Sequence, residues 1–406
     1  MKKCLICDNA INPFISYGMM PIANGFLSKE HFKDEYFFDL QVAHCPSCNM
    51  VQLIETPEKE MMFNEHYAFY SGTSEAMKLH FKEFATEVKD RFLSAKDPFV
   101  VEIGSNDGIM LNNFKGWDIR HLGCEPSANV AKVASDRGIN TIVRFFDESL
   151  VEKIIQEYGQ ADAFIAANVM CHIPYLHSLV AGISKLVKKS GIVIFEEPYL
   201  GDVIEKTTYD QIYDEHTFLF SVSSINNLFH SYGMEVIDVK HQETHGGSMR
   251  YYISHKGERT ISGNVVEQIQ KEKVLGLNLP ETYSKFKKNC EDSKRELKDL
   301  LQYLKNKGNK IAGYGATSKS TTVLNYSDIG PELIDYICDN TPIKQEKFSP
   351  GKHIPIKPIK TFKENYPDYA VLFAYNHAQE IMTKEKEFIE KGGRWIMFVP
   401  KVHVVE

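Results

Sequence analysis

The segment QIYDEHTFLF, residues 211 to 220, sets Tyr213, Glu215 and His216 close together. An imidazole is a base near neutral pH, a phenol donates a hydrogen bond, and a carboxylate can orient either of them. Together they form a proton-handling cluster, and such a cluster needs an acid to act on. Two pairs of cysteines and two glycine-bearing loops complete the set of residues whose types and spacing carry chemistry.

Cys4-Leu5-Ile6-Cys7 and Cys45-Pro46-Ser47-Cys48 are both C-x-x-C knuckles. Each knuckle presents two thiolates to one side of a metal, and two knuckles close a tetrahedral four-sulfur shell with no open position. The spacing predicts a structural zinc held by Cys4, Cys7, Cys45 and Cys48. A redox pair is the alternative, but neither C-x-x-C opens a helix after a strand as a thioredoxin-like motif does. Cys124, Cys171, Cys290 and Cys338 are scattered, which fits a reduced compartment rather than a disulfide framework.

The first loop, VVEIGSNDGIML, runs from an apolar strand through Glu102, Gly104, Asn106, Asp107 and Gly108 into a helix. Its glycines allow a tight turn and a close backbone approach by a ligand. Its acidic side chains repel a pyrophosphate and suit a cationic, phosphate-free ligand such as S-adenosylmethionine. Glu125, which opens Glu125-Pro126-Ser127 after the next strand, is placed to accept from both ribose hydroxyls. Asn168 ends a later strand beside the same cleft; capping the next helix is its other reading.

The second loop, IAGYGATSKSTTVLN, differs in charge. Gly313, Gly315 and Ser318 nearly match a dinucleotide fingerprint, Lys319 follows, and no carboxylate lies inside. Backbone N–H groups at a helix start, beside a lysine, make a phosphate-binding arrangement. Asp339 and Asn340 end the following strand, where a ribose or base is read. One chain thus offers an acidic site for a cationic cofactor and a neutral-to-basic site for phosphates.

The elements that must position these groups follow from periodicity. Residues 1 to 70 hold the knuckles and many turn residues, a first domain. SEAMKLHFKEFATEVKDRF, from Ser74 to Phe92, spaces apolar residues at helical intervals. FVVEIG, RHLGCE, ADAFIAANV and GIVIFEEP then alternate as strands with helical stretches, which means a parallel sheet with helices on both faces. This second domain spans residues 71 to 245. HGGSMRYYISHKG reads as a loop entering a strand, with Gly247, Ser248 and Arg250 on the substrate side or, for the glycines, as a hinge. A helical segment from Gly263 to Asn306 leads to a second, smaller α/β unit, so the third domain spans 246 to 406.

Composition sets limits. The chain has 406 residues, 43% hydrophobic and 25% charged, as expected of a globular enzyme with two or three domains. A net charge of -7 argues against general nucleic-acid binding. No apolar run approaches a membrane span, and no h-region follows the basic start, so a cytoplasmic location is expected.

The pieces taken together resemble the S-adenosylmethionine-dependent C-methyltransferases that act on nucleotide-linked deoxy-4-keto sugars. The likeness rests on CLIC, HCPSC, MPIANGFL, EIGSNDG, CEPSANVA, NVMCHIPYLHSLVAG, YDEHTFLFS, HGGSMR and GYGATSKSTTVLNY in that order. It implies an N-terminal zinc-binding domain, a central Rossmann-like methyltransferase domain and a smaller C-terminal Rossmann-like α/β domain. The sugar nucleotide would lie between the last two. The resemblance carries the catalytic segment onto Tyr213, Glu215 and His216, and a second histidine onto His172. It places substrate contacts in EHYAFYSG, with Tyr67 or Tyr70 as the key residue and Ser71 beside them. Carbon 3, beside the 4-ketone, is the position it implies for methylation.

The chemistry is coherent. A ketone acidifies the neighbouring C–H, a histidine removes that proton, and hydrogen bonds from Tyr213 and His172 stabilise the developing oxyanion. Glu215 or another carboxylate would hold the imidazole. Two other enzyme classes use parts of the chain. An O- or N-methyltransferase needs neither enolising base nor second loop, and an NAD(P)-dependent nucleotide-sugar oxidoreductase leaves the acidic loop idle. A zinc-domain scaffold without catalysis leaves the two-ligand cleft idle.

Overall fold

The computed structural model describes residues 2–63, 70–73 and 75–405; Tyr67 and Ser74 lie outside the described residues. At the N-terminus, strands β1 (Lys2–Lys3) and β2 (Ala10–Ile11) pair across the first knuckle. Strands β3 (Pro13–Pro21), β4 (Phe37–His44) and β5 (Val51–Leu53) form an antiparallel sheet, and the second knuckle is the turn joining β4 to β5. Phe38, Leu40 and Val42 alternate along β4 and are buried, as a half-covered strand requires.

The expected helix forms over Glu75–Phe92 and buries Phe81, Phe84, Ala85 and Val88. Full burial of a side chain such as Phe84 stabilises by about 1.5–3 kcal/mol. Beyond it lies an open sheet built from β6 (Phe99–Ile103), β7 (Arg120–Cys124), β8 (Thr141–Ile142), β9 (Ala161–Ala167) and β10 (Val187–Pro198). These five strands run parallel in the order β10-β9-β6-β7-β8. Strand order reverses between β6 and β9, and the crevice at the carboxyl ends of such strands is where open α/β sheets bind ligands.

The chain then leaves this sheet. Strand β11 (Phe218–Leu219) pairs with β5, so the segment carrying Tyr213 and His216 is bound to the N-terminal sheet. The Leu53 amide donates to the Thr217 carbonyl at 2.8 Å and reinforces that join.

Strands β12 (Met234–Gln242) and β13 (Ser248–His255) return as an antiparallel hairpin, with β13 against β10. Residues 248 to 255, expected at the start of the C-terminal unit, thus pair into the central sheet. Their apolar alternation fits either sheet, and only pairing to β10 decides between them.

The helix Pro280–Asn306 leads into the last unit. Its sheet, in the order β16-β15-β14-β17-β18-β19, comprises β14 (Ile311–Tyr314), β15 (Tyr336–Asp339), β16 (Ile356–Pro358), β17 (Tyr369–Leu372), β18 (Arg394–Met397) and β19 (His403–Val404). All pairs are parallel except β18 with β19. Order reverses between β14 and β17, a second crevice of the same kind. No described helix is long and apolar enough to cross a membrane.

Candidate active site

The four knuckle cysteines converge. Cys4 and Cys48 sulfurs lie 3.6 Å apart, Cys7 and Cys45 sulfurs 3.4 Å, and all four lie within 4.8 Å of one another. A tetrahedral zinc with bonds of about 2.3 Å needs sulfurs roughly 3.8 Å apart, so the shell fits that ion. Asp8 and Asn49 take left-handed backbone after each knuckle, at φ 55° and 61°. Their amides donate to the Cys4 and Cys45 carbonyls.

Both sheet crevices open into one cavity of about 490 Å³. On the central side its walls include Gly104, Asn106, Glu125, Pro126 and Asn168. Gly104 has φ 58°, and a Cβ there would lie 2.3 Å from Val169, so no other residue fits this turn. Glu125 is buried; its two oxygens accept from the Asn106 amide at 3.0 Å and the Ser127 amide at 2.8 Å. Its expected role at a ribose is therefore combined with holding the loop in shape.

Glu102, Asp107, Gly108 and Ser127 do not line the cavity. Glu102 and Asp107 are buried beneath it, because strand alternation and the turn direct them inward. Asp107 accepts from the Gly72 amide at 3.1 Å, and the Asn106 side chain accepts from the Ser71 amide at 3.0 Å. Tyr70 receives a hydrogen bond from Asn129 at 3.1 Å, and Tyr70 and Ser71 do line the cavity. Burial, with Glu125 and Asp107 nearby, raises the Glu102 carboxyl well above the ordinary range. One Glu102 oxygen has no partner among the described residues. So acidic a floor fits the positive charge of S-adenosylmethionine.

Tyr213, Glu215, His216 and His172 all border the cavity. The Tyr213 hydroxyl lies 2.8 Å from His216 Nε2, and His216 Nδ1 lies 2.6 Å from the Gln211 carbonyl. A carbonyl only accepts, so Nδ1 carries the hydrogen and Nε2 offers its lone pair. Glu215 does not orient the imidazole. It accepts from Asn24 at 2.6 Å, and neighbouring Asp214 accepts from the Ala23 amide at 2.9 Å.

Burial, with His172, Lys319 and His245 nearby, keeps the His216 pKa well below its usual value. The His172 ring stacks on His216 at 5.2 Å, and its Nε2 is buried with no partner among the described residues. Burial lowers the His172 pKa to about 3.

Two adjacent carboxylates support the histidines. Glu197 accepts from the Val169 and Met170 amides at 2.9 and 2.6 Å, fixing the turn that carries His172; burial pushes its pKa up to about 7. Burial works against the charge of Glu196, but His80 and Arg250 outweigh it and hold its pKa at about 2.

Arg250 binds Glu196 at 2.9 Å and Glu87 at 2.9 Å, so it is a core ion pair and not a substrate residue. Gly247 and Ser248 likewise lie off the cavity. A Cβ at Gly247 would meet Asp202, and the Ser248 hydroxyl donates to the Thr244 carbonyl.

On the C-terminal side Gly315, Ser318, Lys319 and Asn340 line the cavity. The loop itself holds no carboxylate, as expected, but two carboxylates stand beside it. Asp339 accepts from the Ala316 amide at 2.8 Å, and Asp210 faces Lys319 from the central part of the chain. Burial raises the Asp210 pKa to about 6. Sequence reasoning missed Lys344, whose buried ammonium reaches the Ala316 carbonyl at 2.9 Å, because no motif marks it. It also set aside His245, which lines the cavity, whereas His177 and His241 are surface residues as expected.

The comparisons with known proteins also find three successive regions along the chain. The zinc binding domain family model matches residues 4–63, the "Methyltransferase domain" model residues 77–239, and the "C-methyltransferase C-terminal domain" model residues 243–400. C-methyltransferase NovU of Streptomyces niveus is 31% identical over 409 residues, covering 100% of this chain and 97% of its own. Among solved structures, magnesium protoporphyrin IX methyltransferase (ChlM) from Synechocystis PCC 6803 with bound SAH matches at 10% identity and TM-score 0.35, over 43% of this chain and 82% of its own. A relative matched from end to end, with three domain models in order along it, means that this chain belongs to the C-methyltransferase family, with S-adenosylmethionine as methyl donor and zinc in the N-terminal domain.

Proposed function

We propose that the enzyme methylates a carbon next to the ketone, C3, of a nucleotide-linked 4-keto-deoxy sugar. The observation that carries this reading is the cavity itself. The acidic crevice and the histidines share it with two buried lysines, Lys319 and Lys344, set around a glycine loop. Desolvation lowers both lysine pKa values. Such ammonium groups gain most from an anion that replaces lost water, and a diphosphate supplies it.

Bound S-adenosylmethionine supplies an electrophilic methyl group. The protein's own residues prepare the carbon that takes it. A ketone oxygen near Tyr213 is a new acceptor for the tyrosine hydrogen, and turning toward it frees His216 Nε2. That nitrogen takes the proton from the carbon beside the ketone; the C–H electron pair forms the enolate C=C bond, and the carbonyl π pair moves onto the ketone oxygen. Tyr213 and His172 hold the resulting oxyanion. The diphosphate next to Lys319 offsets one of the charges that depress His216, which makes the imidazole a better base when substrate is bound.

The test is direct. Purified enzyme is incubated with S-adenosylmethionine and 4-keto-deoxy sugars carried on thymidine, cytidine or guanosine diphosphate. A product heavier by one CH2, with a new C-methyl signal by NMR, is expected for at least one of them. Lys319→Ala and Lys344→Ala should weaken sugar-nucleotide binding and leave S-adenosylmethionine binding intact. Methylation of an oxygen or nitrogen in an acceptor without a ketone would overturn the reading.

A further inference from the structure

The short turn Thr244–Gly246, between β12 and β13, carries an imidazole into the cavity that the reaction above does not use. His245 has φ 56° and ψ 20°, left-handed backbone that a histidine adopts at a cost. Residues held this way persist when their surroundings over-determine them, and they cluster at functional sites.

The surroundings here do so from three parts of the chain. The His245 carbonyl accepts from Gln211 of the catalytic segment, and from Lys319 of the C-terminal unit at 3.4 Å. Thr244 before it donates to Glu196 at 2.9 Å, and the Gly246 carbonyl after it accepts from Lys206 at 2.8 Å.

The side chain is held as well. Asn168 Nδ2 lies 3.1 Å from His245 Nε2. With the amide as donor, Nε2 is the acceptor and the ring hydrogen sits on Nδ1. No described residue takes up that Nδ1. Asn168 follows β9 and is itself left-handed, at φ 56°, so both partners of this contact stand on left-handed backbone at the lip of the cofactor crevice.

We propose that His245 is a further acceptor-binding residue, an imidazole clamped by Asn168 that donates from Nδ1 to an oxygen of the sugar during methyl transfer. The proposal rests on the sugar reading above. The ring stays neutral: burial, helped by the Lys319 and His377 charges and opposed by Glu196, lowers its pKa to about 3. A neutral donor fits a hydroxyl or keto oxygen. Because the His245 carbonyl is also where Gln211 and Lys319 meet, the same residue joins the end of the cavity assigned to phosphate to the proton-transfer end.

Two measurements test this, and the first needs no substrate. Nitrogen-15 spectra of histidine-labelled enzyme, with His245→Asn identifying the signal, should show a neutral ring protonated on Nδ1 across pH 5 to 8. A ring protonated on Nε2, or one titrating near its ordinary value, overturns the proposal. The second compares His245→Asn with wild type. Asparagine tolerates left-handed backbone, so the carbonyl bonds to Gln211 and Lys319 persist. kcat/KM for the sugar nucleotide should fall about tenfold or more, with S-adenosylmethionine affinity and the thermal midpoint unchanged. kcat/KM within twofold of wild type overturns it. If wild type methylates no sugar nucleotide, the sugar reading fails, and the ring tautomer alone still decides for or against the donor geometry of His245.

Discussion

Glu196 and Glu197 are consecutive on β10, yet they hold opposite banks of the active-site cavity. Successive strand residues point to opposite faces. Glu197 therefore binds the amides of the turn carrying His172, while Glu196 binds Thr244, next to His245. One strand end sets the spacing between two imidazoles far apart in sequence.

Glu197→Ala should leave the amides of the His172 turn buried and unpaired, at about 1–3 kcal/mol each. A clear fall in thermal midpoint and a loss of turnover are expected. Glu197→Gln keeps an acceptor oxygen and should recover most of both. A Glu197→Ala enzyme as stable and active as wild type would show that the turn needs no such support.

Proton removal can be followed without methyl transfer. With the demethylated cofactor product and a 4-keto sugar nucleotide in deuterated water, wild type should exchange the hydrogen beside the ketone. His216→Asn should lower exchange and methylation by about 10²- to 10⁴-fold. Tyr213→Phe should lower methylation about 10²-fold through loss of an oxyanion donor. Exchange retained in His216→Asn would move the base elsewhere, His172 first.

Glu125→Gln removes a charge and sets an amide NH2 against a backbone N–H. Hydrogen bonds to a charged group are worth about 1.5–3 kcal/mol, so S-adenosylmethionine affinity should drop tenfold or more by calorimetry. Unchanged affinity would separate Glu125 from the cofactor site.

Metal analysis should give one zinc per chain. Cys45→Ser should lose it and unfold at lower temperature, since a closed four-sulfur site contributes folding energy. The zinc sheet also clamps β11, so turnover should fall in step with the folded fraction. A zinc-free variant of normal stability would contradict a structural role.

The half-buried His172 makes stability pH-dependent. Its folded pKa of about 3 lies below the unfolded value, so unfolding takes up a proton as pH falls below about 6.5. Wild type should therefore lose stability relative to His172→Gln on acidification, by at most about 1.4 kcal/mol per pH unit. The slope is smaller to the extent that the ring borders the open cavity. Urea unfolding of both proteins at pH 7 and pH 5 checks the sign; a gap independent of pH would mean that the ring is solvated.

Much of this molecule was legible in local pattern. The two C-x-x-C pairs announced the four-sulfur cluster because knuckle geometry is local. Apolar runs ending at Gly104 and Gly315 announced two sheets with ligand crevices, because strand and turn preferences act over a few residues. Tyr213 and His216 were legible as a cluster of proton-handling types, but their assigned role and His172 came only through resemblance to a known family, since a polar segment has no period of its own.

Partnership was left to the tertiary structure. Glu215 looked like the orienter of His216, its neighbour in sequence, but Asn24 captures it across 191 positions and a backbone carbonyl takes its place. Arg250 looked like a substrate ligand until β13 paired with β10 and delivered it to Glu196. Lys344 carried no motif, and His245, set aside although it opens HGGSMR, became a site residue with it only when three units closed on one cavity. Hydrogen bonds and ion pairs between distant segments depend on how sheets pack, and packing minimises buried unpaired charge over the whole fold, a sum that no short window of sequence contains.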